Sequence, residues 1–194
     1  MWEKMTVQIT GIAPLRMHNP RLANTLDPIA KAIKAISSSR HKVDADIEEM
    51  AHLEFLGSLY LVKDDSDPCI PANVMYGVMA GKGGAARSQK MGKQAKLGII
   101  ISKDFPLVYD GPKKAEKLWK DKKYVHQQFE NVQGSRIMRT TPIFPEWSAV
   151  IEIEYNPDFV NIDTVKAWVE IAGSECGLME RRPVFGRFES KIIN

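Results

Sequence analysis

Cysteine is nearly missing from this chain: there are two residues in 194, Cys69 and Cys176, with no CxxC spacing. That usage excludes a disulfide framework and a Cys/His zinc site, and it points to a reducing compartment. Long apolar runs are missing too. No stretch approaches the roughly 18 apolar residues that span a bilayer. The N-terminus MWEKMTVQITG is polar and alternating, with no leader pattern. The expectation is a soluble, cytoplasmic protein without a membrane partner. There is no HExxH and no GxSxG, and GKGGAAR (81–87) lacks the Lys-Ser/Thr ending of a Walker loop. No repeat of solenoid period is visible. A large charge excess is also lacking. The formal net charge is +3, so the distribution of charge has to decide whether a polyanion is a partner.

What is present is ordinary globular material. Hydrophobic residues make up 44% and charged residues 26%, which excludes disorder over the whole chain. A length of 194 residues suits one domain, 1–194, with a substantial core or with insertions. Residues 5–12 alternate as a half-buried strand. A Pro- and Asn-rich loop follows, then a helix opened by Asp27-Pro28, with the aspartate as N-cap and the proline in the first turn. A second helix runs from about Asp44 to Leu56, its acidic first turn favoured by the helix dipole. Together these form a helical insertion over 20–57.

Beyond it, LGSLYLV predicts a strand ending in the polar turn KDDSDP, whose Asp64, Asp65 and Asp67 read as solvated carboxylates. IPANVMYG is a strand-to-helix unit, 81–96 a basic loop, LGIIIS a strand, and PKKAEKLWKDKKY a lysine-rich helix or loop. VQGSRIMRTTPIF and WSAVIEIEY predict two strands of a hairpin turning at Pro145-Glu146. A helix over 164–175 and a final strand in VFGRFESKII complete the chain. This order predicts an α+β fold: a mostly antiparallel sheet with helices on one face, and a ferredoxin-like β-α-β-β-α-β core carrying the insertion.

Catalytic signals are sparse. None of His18, His41, His52 and His126 sits in a metal-ligand pattern. Neither a metal nor a cofactor is expected, and no catalytic residue is assigned. His18, in the loop after the first strand, has the chemistry of a general base, but an ordinary loop histidine is the better reading.

Binding signals are richer. Residues 82–96 hold Lys82, Arg87, Lys90, Lys93 and Lys96 and no acid. If part of the segment is helical, Lys90, Lys93 and Lys96 share a face. A solvated loop is the alternative, but solubility alone is usually met with mixed signs, so this composition favours a polyanion. In IMRTTPIF, alternation places Arg136 and Arg139 on opposite faces of a strand. An arginine on an open sheet face can pair with phosphate or stack under a base, or simply be a surface residue. Near the C-terminus Arg181, Arg182 and Arg187 bracket Pro183 and Gly186. Glycine there leaves backbone N–H groups able to approach an anion, and Gly177 fits a helix C-cap. Of Phe185 and Phe188, one is expected in the core.

Three features carry a resemblance. The first strand ends in G-hydrophobic-x-P-L (Gly11 to Leu15), Ile70 to Gly77 forms an IPxxxxxG turn and helix, and a glycine-containing segment joins the last helix to the last strand. In these the chain resembles the RAMP superfamily, the repeat-associated mysterious proteins of CRISPR systems, which are built on ferredoxin-like or RRM-like cores. As a whole it also resembles phage and prophage proteins. The resemblance implies single-stranded nucleic-acid binding, RNA before DNA, without implying cleavage, and it marks Gly173, Gly177, Gly186, Arg187 and Phe188 as the loop that contacts the strand. The family's loop is denser in glycine, where this chain has Met179 and Glu180. The expected interface is Lys82, Arg87, Lys90, Lys93, Lys96, Arg136, Arg139, Arg181, Arg182, Gly186 and Arg187. Copies of the chain or other protein subunits are further expected partners. The alternatives are a phage protein acting by protein contact, as an assembly component or a mimic of a CRISPR subunit, and a metal-independent endoribonuclease using His18.

Overall fold

The structure is a computed structural model that describes residues 1–63, 67–132 and 134–193. Asp64 and Asp65 of the expected acidic turn, and Gln133 of an expected strand, lie outside the described residues. After β1 (Glu3–Gly11) and the short β2 (Leu15–Arg16) come a 3-10 turn, Pro20–Ala23, and two helices, α1 (Pro28–Ser37) and α2 (Asp44–Ser58). Asp27 caps α1 by accepting from the Ile29 and Ala30 amides, with Pro28 in the first turn. β3 (Cys69–Ile70) leads into α3 (Ala72–Ala80), and α4 (Ala85–Ser88) and α5 (Gly92–Gly98) run into β4 (Ile99–Ile100). β5 (Phe105–Pro106), α6 (Ala115–Lys120) and a 3-10 turn, Lys122–Tyr124, precede three longer strands: β6 (Val125–Val132), β7 (Ser135–Phe144) and β8 (Ser148–Tyr155). α7 (Ile162–Ile171) ends in a π turn, Ala172–Cys176, and β9 (Phe188–Ile192) is the last strand. None of the described helices is long and apolar enough to cross a membrane.

β1 alternates as its sequence demands: Met5, Val7 and Ile9 are buried, and Lys4, Gln8 and Thr10 are exposed. Its buried face continues across β8 through Ala149, Ile151 and Ile153, because directly paired residues of antiparallel strands point to the same side. The resulting sheet has the order β4-β8-β1-β9 with every pairing antiparallel. Helices cover its apolar face. Val165, Trp168 and Val169 of α7 and Met75, Val78 and Met79 of α3 are buried in the common core. Trp168 finds a partner for its indole N–H in Gln89, 3.1 Å away, which ties α7 to the end of α4.

A second sheet has the order β2-β7-β6, and helix α2 packs on β7. The expected hairpin between 135–144 and 148–155 is not formed. β7 pairs with β6 and β2, whereas β8 pairs with β1 and β4. The chain changes sheets at Trp147, which is buried and donates its indole N–H to the Ala13 carbonyl at 2.9 Å. β6 was hidden in the sequence because VHQQFENV has polar residues on both faces. Nor does LGSLYLV form a strand. Its first residues finish α2 with Gly57 and Ser58 buried, and a single bridge, Leu61 to Pro68, remains.

The end of the first strand and the final loop meet. Ile12 and Ala13 donate their amides to the Arg187 carbonyl, and Gly186 donates its amide to the Pro14 carbonyl at 2.8 Å. Gly11 is needed because a Cβ there would overlap the Trp147 indole. Gly186 has φ +76, and a Cβ on it would overlap the Leu178 backbone carbonyl. Both terms oppose a side chain, so Gly186→Ala is expected to cost at least about 2 kcal/mol. Thermal unfolding should then shift down by roughly 4–8 °C. A melting point within a degree of the native chain would refute this account of the loop.

Candidate nucleic-acid interface

The segment expected as a loop over 81–96 is two short helices around a reversal. Ala85 and Ala86 of α4 and Ala95 of α5 are buried, which anchors the segment to the core and turns its charged residues outward. Lys90 takes a left-handed conformation, φ 61, at the reversal, and its amide donates to the Arg87 carbonyl. Lys93 and Lys96 are one turn apart on α5. Arg87, Lys90, Lys93 and Lys96 thereby line one concavity of about 700 Å³ with Gly92 and Gln94, and among the described residues no carboxylate lines it. Four like charges around one hollow reinforce one another and focus a positive potential there.

Lys82 goes elsewhere. It lines a second hollow, of about 320 Å³, with Arg182 of the final loop, His18, Tyr60, Asn73 and Glu180. His18 is positioned from α2: Ser58 Oγ lies 3.4 Å from its Nδ1, and the Tyr60 hydroxyl donates to its carbonyl at 3.4 Å. Burial, and then the charge of Glu180, pushes the Tyr60 hydroxyl above its ordinary pKa, so it is a neutral donor at physiological pH.

The final loop is made differently from the expectation. Gly177 (φ 68) closes the π turn as anticipated for a C-cap, and its amide donates to the Ala172 carbonyl. With the Gly186 amide held by Pro14, neither glycine offers a free N–H to an anion. Any group that this loop presents to an anion is a side chain. Arg182 and Arg187 are exposed. Arg181 is also exposed, but its Nη2 lies 3.4 Å from Glu130. Met179 and Arg181 hold left-handed conformations without glycine, φ 61 and 58. Phe188 is the core aromatic, 2% exposed, while Phe185 is half-buried edge-on to His126.

The strand arginines divide. Arg136 is exposed near the tip of the β6–β7 hairpin. Arg139 is occupied: its Nη1 lies 2.7 Å from Glu54, whose other oxygen accepts from the Thr140 amide at 2.9 Å. It therefore fastens α2 to β7. Arg139→Ala leaves a buried carboxylate short of its charged partner, expected to cost about 1.5–3 kcal/mol. The melting point should fall by roughly 3–12 °C while the salt dependence of any nucleic-acid binding stays unchanged. A reduced salt slope without loss of stability would reverse that assignment.

The exposed face of the four-stranded sheet is no stacking platform. Thr6, Gln8 and Thr10 of β1 share it with Val150, Glu152 and Glu154 of β8 and Glu189 and Lys191 of β9. None of these is aromatic, whereas an RRM-type sheet stacks bases on aromatics. Glu152 is already paired with Lys4 and Lys103.

Sequence reasoning missed one cluster. Arg16 is 1% exposed; its Nε donates to Thr141 Oγ1 at 2.8 Å and its Nη2 to Glu130 at 2.6 Å. Its Nη1 is buried with no hydrogen-bond partner among the described residues. Desolvation pushes the Glu130 carboxyl up, but the hydrogen bond and charge of Arg16, then of Arg181, outweigh it and hold the group below the usual carboxylate range. A charged residue inside the apolar run APLRM was the available signal. Among the described residues no three of His, Cys, Asp and Glu converge as metal ligands. Neither a protein-family model nor a curated protein matches this chain.

Proposed function

We propose that this chain is a cytoplasmic, RAMP-like binder of single-stranded nucleic acid, of phage or CRISPR-related origin, that holds the strand without cleaving it. The observation that carries the reading is the concavity in which Arg87, Lys90, Lys93 and Lys96 converge with no acid among the described residues that line it. A single strand is flexible enough to follow such a hollow, and its phosphates are the anions that regularly spaced cations match. The ferredoxin-like core is part of the proposal. Taking β1, β4, β8 and β9 as first to fourth, the sheet reads second-third-first-fourth, with α3 to α5 before the second strand and α7 before the last. That order supports a split β-α-β-β-α-β unit. Because the open sheet face lacks aromatics and mixes lysines with glutamates, the strand lies on the α4–α5 side.

The test is filter binding of 20–40-mers from low to physiological salt. Each neutralised phosphate contributes a slope of about −0.7 in log K against log salt, so four contacts give roughly −3. No retention of any strand at low salt would sink the idea.

A second reading, action by protein contact, has one observation behind it. Phe129 and Met138 are paired across the β6–β7 hairpin and exposed to 61% and 43%, which is apolar area suited to a partner chain. Light scattering after size exclusion separates the readings. A discrete oligomer indifferent to nuclease favours contact, and a nuclease-sensitive assembly favours the strand.

A further inference from the structure

The hollow beneath the final loop mixes charges in a way that the α4–α5 concavity does not. Lys82 and Arg182 supply two cations, Glu180 a carboxylate, and Asn73, Tyr60 and His18 further polar groups. A seat for phosphate alone disfavours a carboxylate, because like charges repel strongly out of bulk water. A carboxylate beside two cations suits a ligand that is anionic at one end and offers hydroxyl donors a few ångströms away. A phosphorylated ribose is such a ligand, and acidic side chains accept from ribose hydroxyls in nucleotide sites generally. The volume of about 320 Å³ lies near the lower end of small-ligand pockets, roughly 300–1,000 Å³, which is room for one nucleotide.

The position of Glu180 is fixed by the backbone. Its amide donates to the Arg16 carbonyl at 3.2 Å, and the left-handed residues Met179 and Arg181 flank it. Tyr60, whose hydroxyl proton goes to the His18 carbonyl, lines the same hollow as Glu180. Met179 and Val74 add an apolar wall.

We propose that this pocket is a ribonucleotide subsite, which seats one nucleotide of the bound strand with its phosphate on Lys82 and Arg182 and its 2′-hydroxyl on Glu180. The inference rests on the single-strand reading above and narrows it to RNA, because the 2′-hydroxyl is what lets a site tell RNA from DNA.

The experiment has two arms. In the first, fluorescence anisotropy compares a 20-mer RNA with the DNA of the same sequence, on the native chain and on Glu180→Ala and Lys82→Ala. In the second, NMR follows the His18 ring during titration with adenosine 5′-monophosphate and with its 2′-deoxy form. The native chain should prefer RNA about tenfold, the scale of one hydrogen bond to a charged acceptor. Glu180→Ala should bring the two strands within about twofold without weakening DNA, while Lys82→Ala weakens both and keeps their ratio. His18 should shift more with the ribonucleotide than with the deoxy form. Equal affinity for salt-sensitive RNA and DNA binding, or a ratio unchanged in Glu180→Ala, overturns the subsite and leaves strand binding standing. A His18 response to the ribonucleotide with no strand binding does the opposite. Silence in both arms overturns both. Should Glu180→Ala fail to fold, the native chain's two comparisons still decide.

Discussion

Replacing Arg87, Lys90, Lys93 and Lys96 together by glutamine is expected to weaken single-strand binding by roughly 10²–10³-fold at 0.1 M salt. Four phosphate contacts at about 0.7 log units per decade of salt give nearly three log units between 0.1 M and 1 M, and the glutamines remove that term. The salt slope should flatten by about 3, and the difference between native and variant should vanish as salt approaches 1 M. All four side chains are exposed, and the anchoring alanines of α4 and α5 are untouched, so melting should change little. Filter binding at several salt concentrations checks this. A variant as tight as the native chain would move the strand off the α4–α5 surface. Reversing a single charge, Lys93→Glu, should have the same sign and a smaller size.

The largest expected loss of stability lies at Glu130. Removing one member of a buried ion pair strands the other, at a cost of about 3–5 kcal/mol. Glu130→Ala leaves the 1%-exposed Arg16 guanidinium with Thr141 as its one remaining side-chain partner among the described residues, so melting should fall by roughly 6–20 °C. Replacing both members, Arg16→Met with Glu130→Leu, should recover most of the loss, because an apolar pair of similar volume carries no stranded charge. The pH dependence follows from the sign of the shift. Arg16 and Arg181 depress the Glu130 carboxyl below its ordinary value. The stability this provides is complete above the unfolded value, about 4.3, and is lost as pH falls through the depressed one. Native and Glu130→Ala melting temperatures should therefore converge below about pH 4. If the gap persists at pH 2, packing rather than charge explains the cluster.

Local signals in the sequence were sufficient where side chains act on their own backbone. Asp27-Pro28 specified the start of α1, alternation specified β1 and β8, and Gly177 specified the end of the α7 segment. They failed where tertiary partners decide. The Pro145-Glu146 turn looked like a hairpin, but Trp147 diverts the chain by burying its ring and bonding Ala13, more than 130 residues away. β6 is held by its ladder to β7 rather than by an apolar face of its own. The basic segment was legible as charge, yet its curvature depends on a left-handed Lys90 and three buried alanines. Lys82 was grouped with Arg87 by adjacency, and the fold sends them to different hollows. Arg139 looked available because its acid, Glu54, lies on a helix 85 residues earlier. Composition describes what a surface can offer, and long-range pairing decides which of those groups are already spent.

The sheet order bears on how the chain is made. β1 is an inner strand whose two neighbours are β8 and β9, and Val7 pairs with Ile192. During synthesis β1 leaves the ribosome before the other strands of its sheet and waits while about 180 further residues are added before its second edge can be covered. At 5–20 residues per second that is roughly 10–40 s. Until β8 emerges Met5, Val7 and Ile9 are a strand without a sheet, and even then one edge stays open until β9; folding can close only through contacts of long loop length, which are slow. The helical insertion has no such delay: α1 and α2 contact each other and are separated by six residues. The nascent chain is thus expected to carry a preformed helical pair beside an apolar strand that has no neighbour before β8 and one open edge before β9, a natural client for a chaperone.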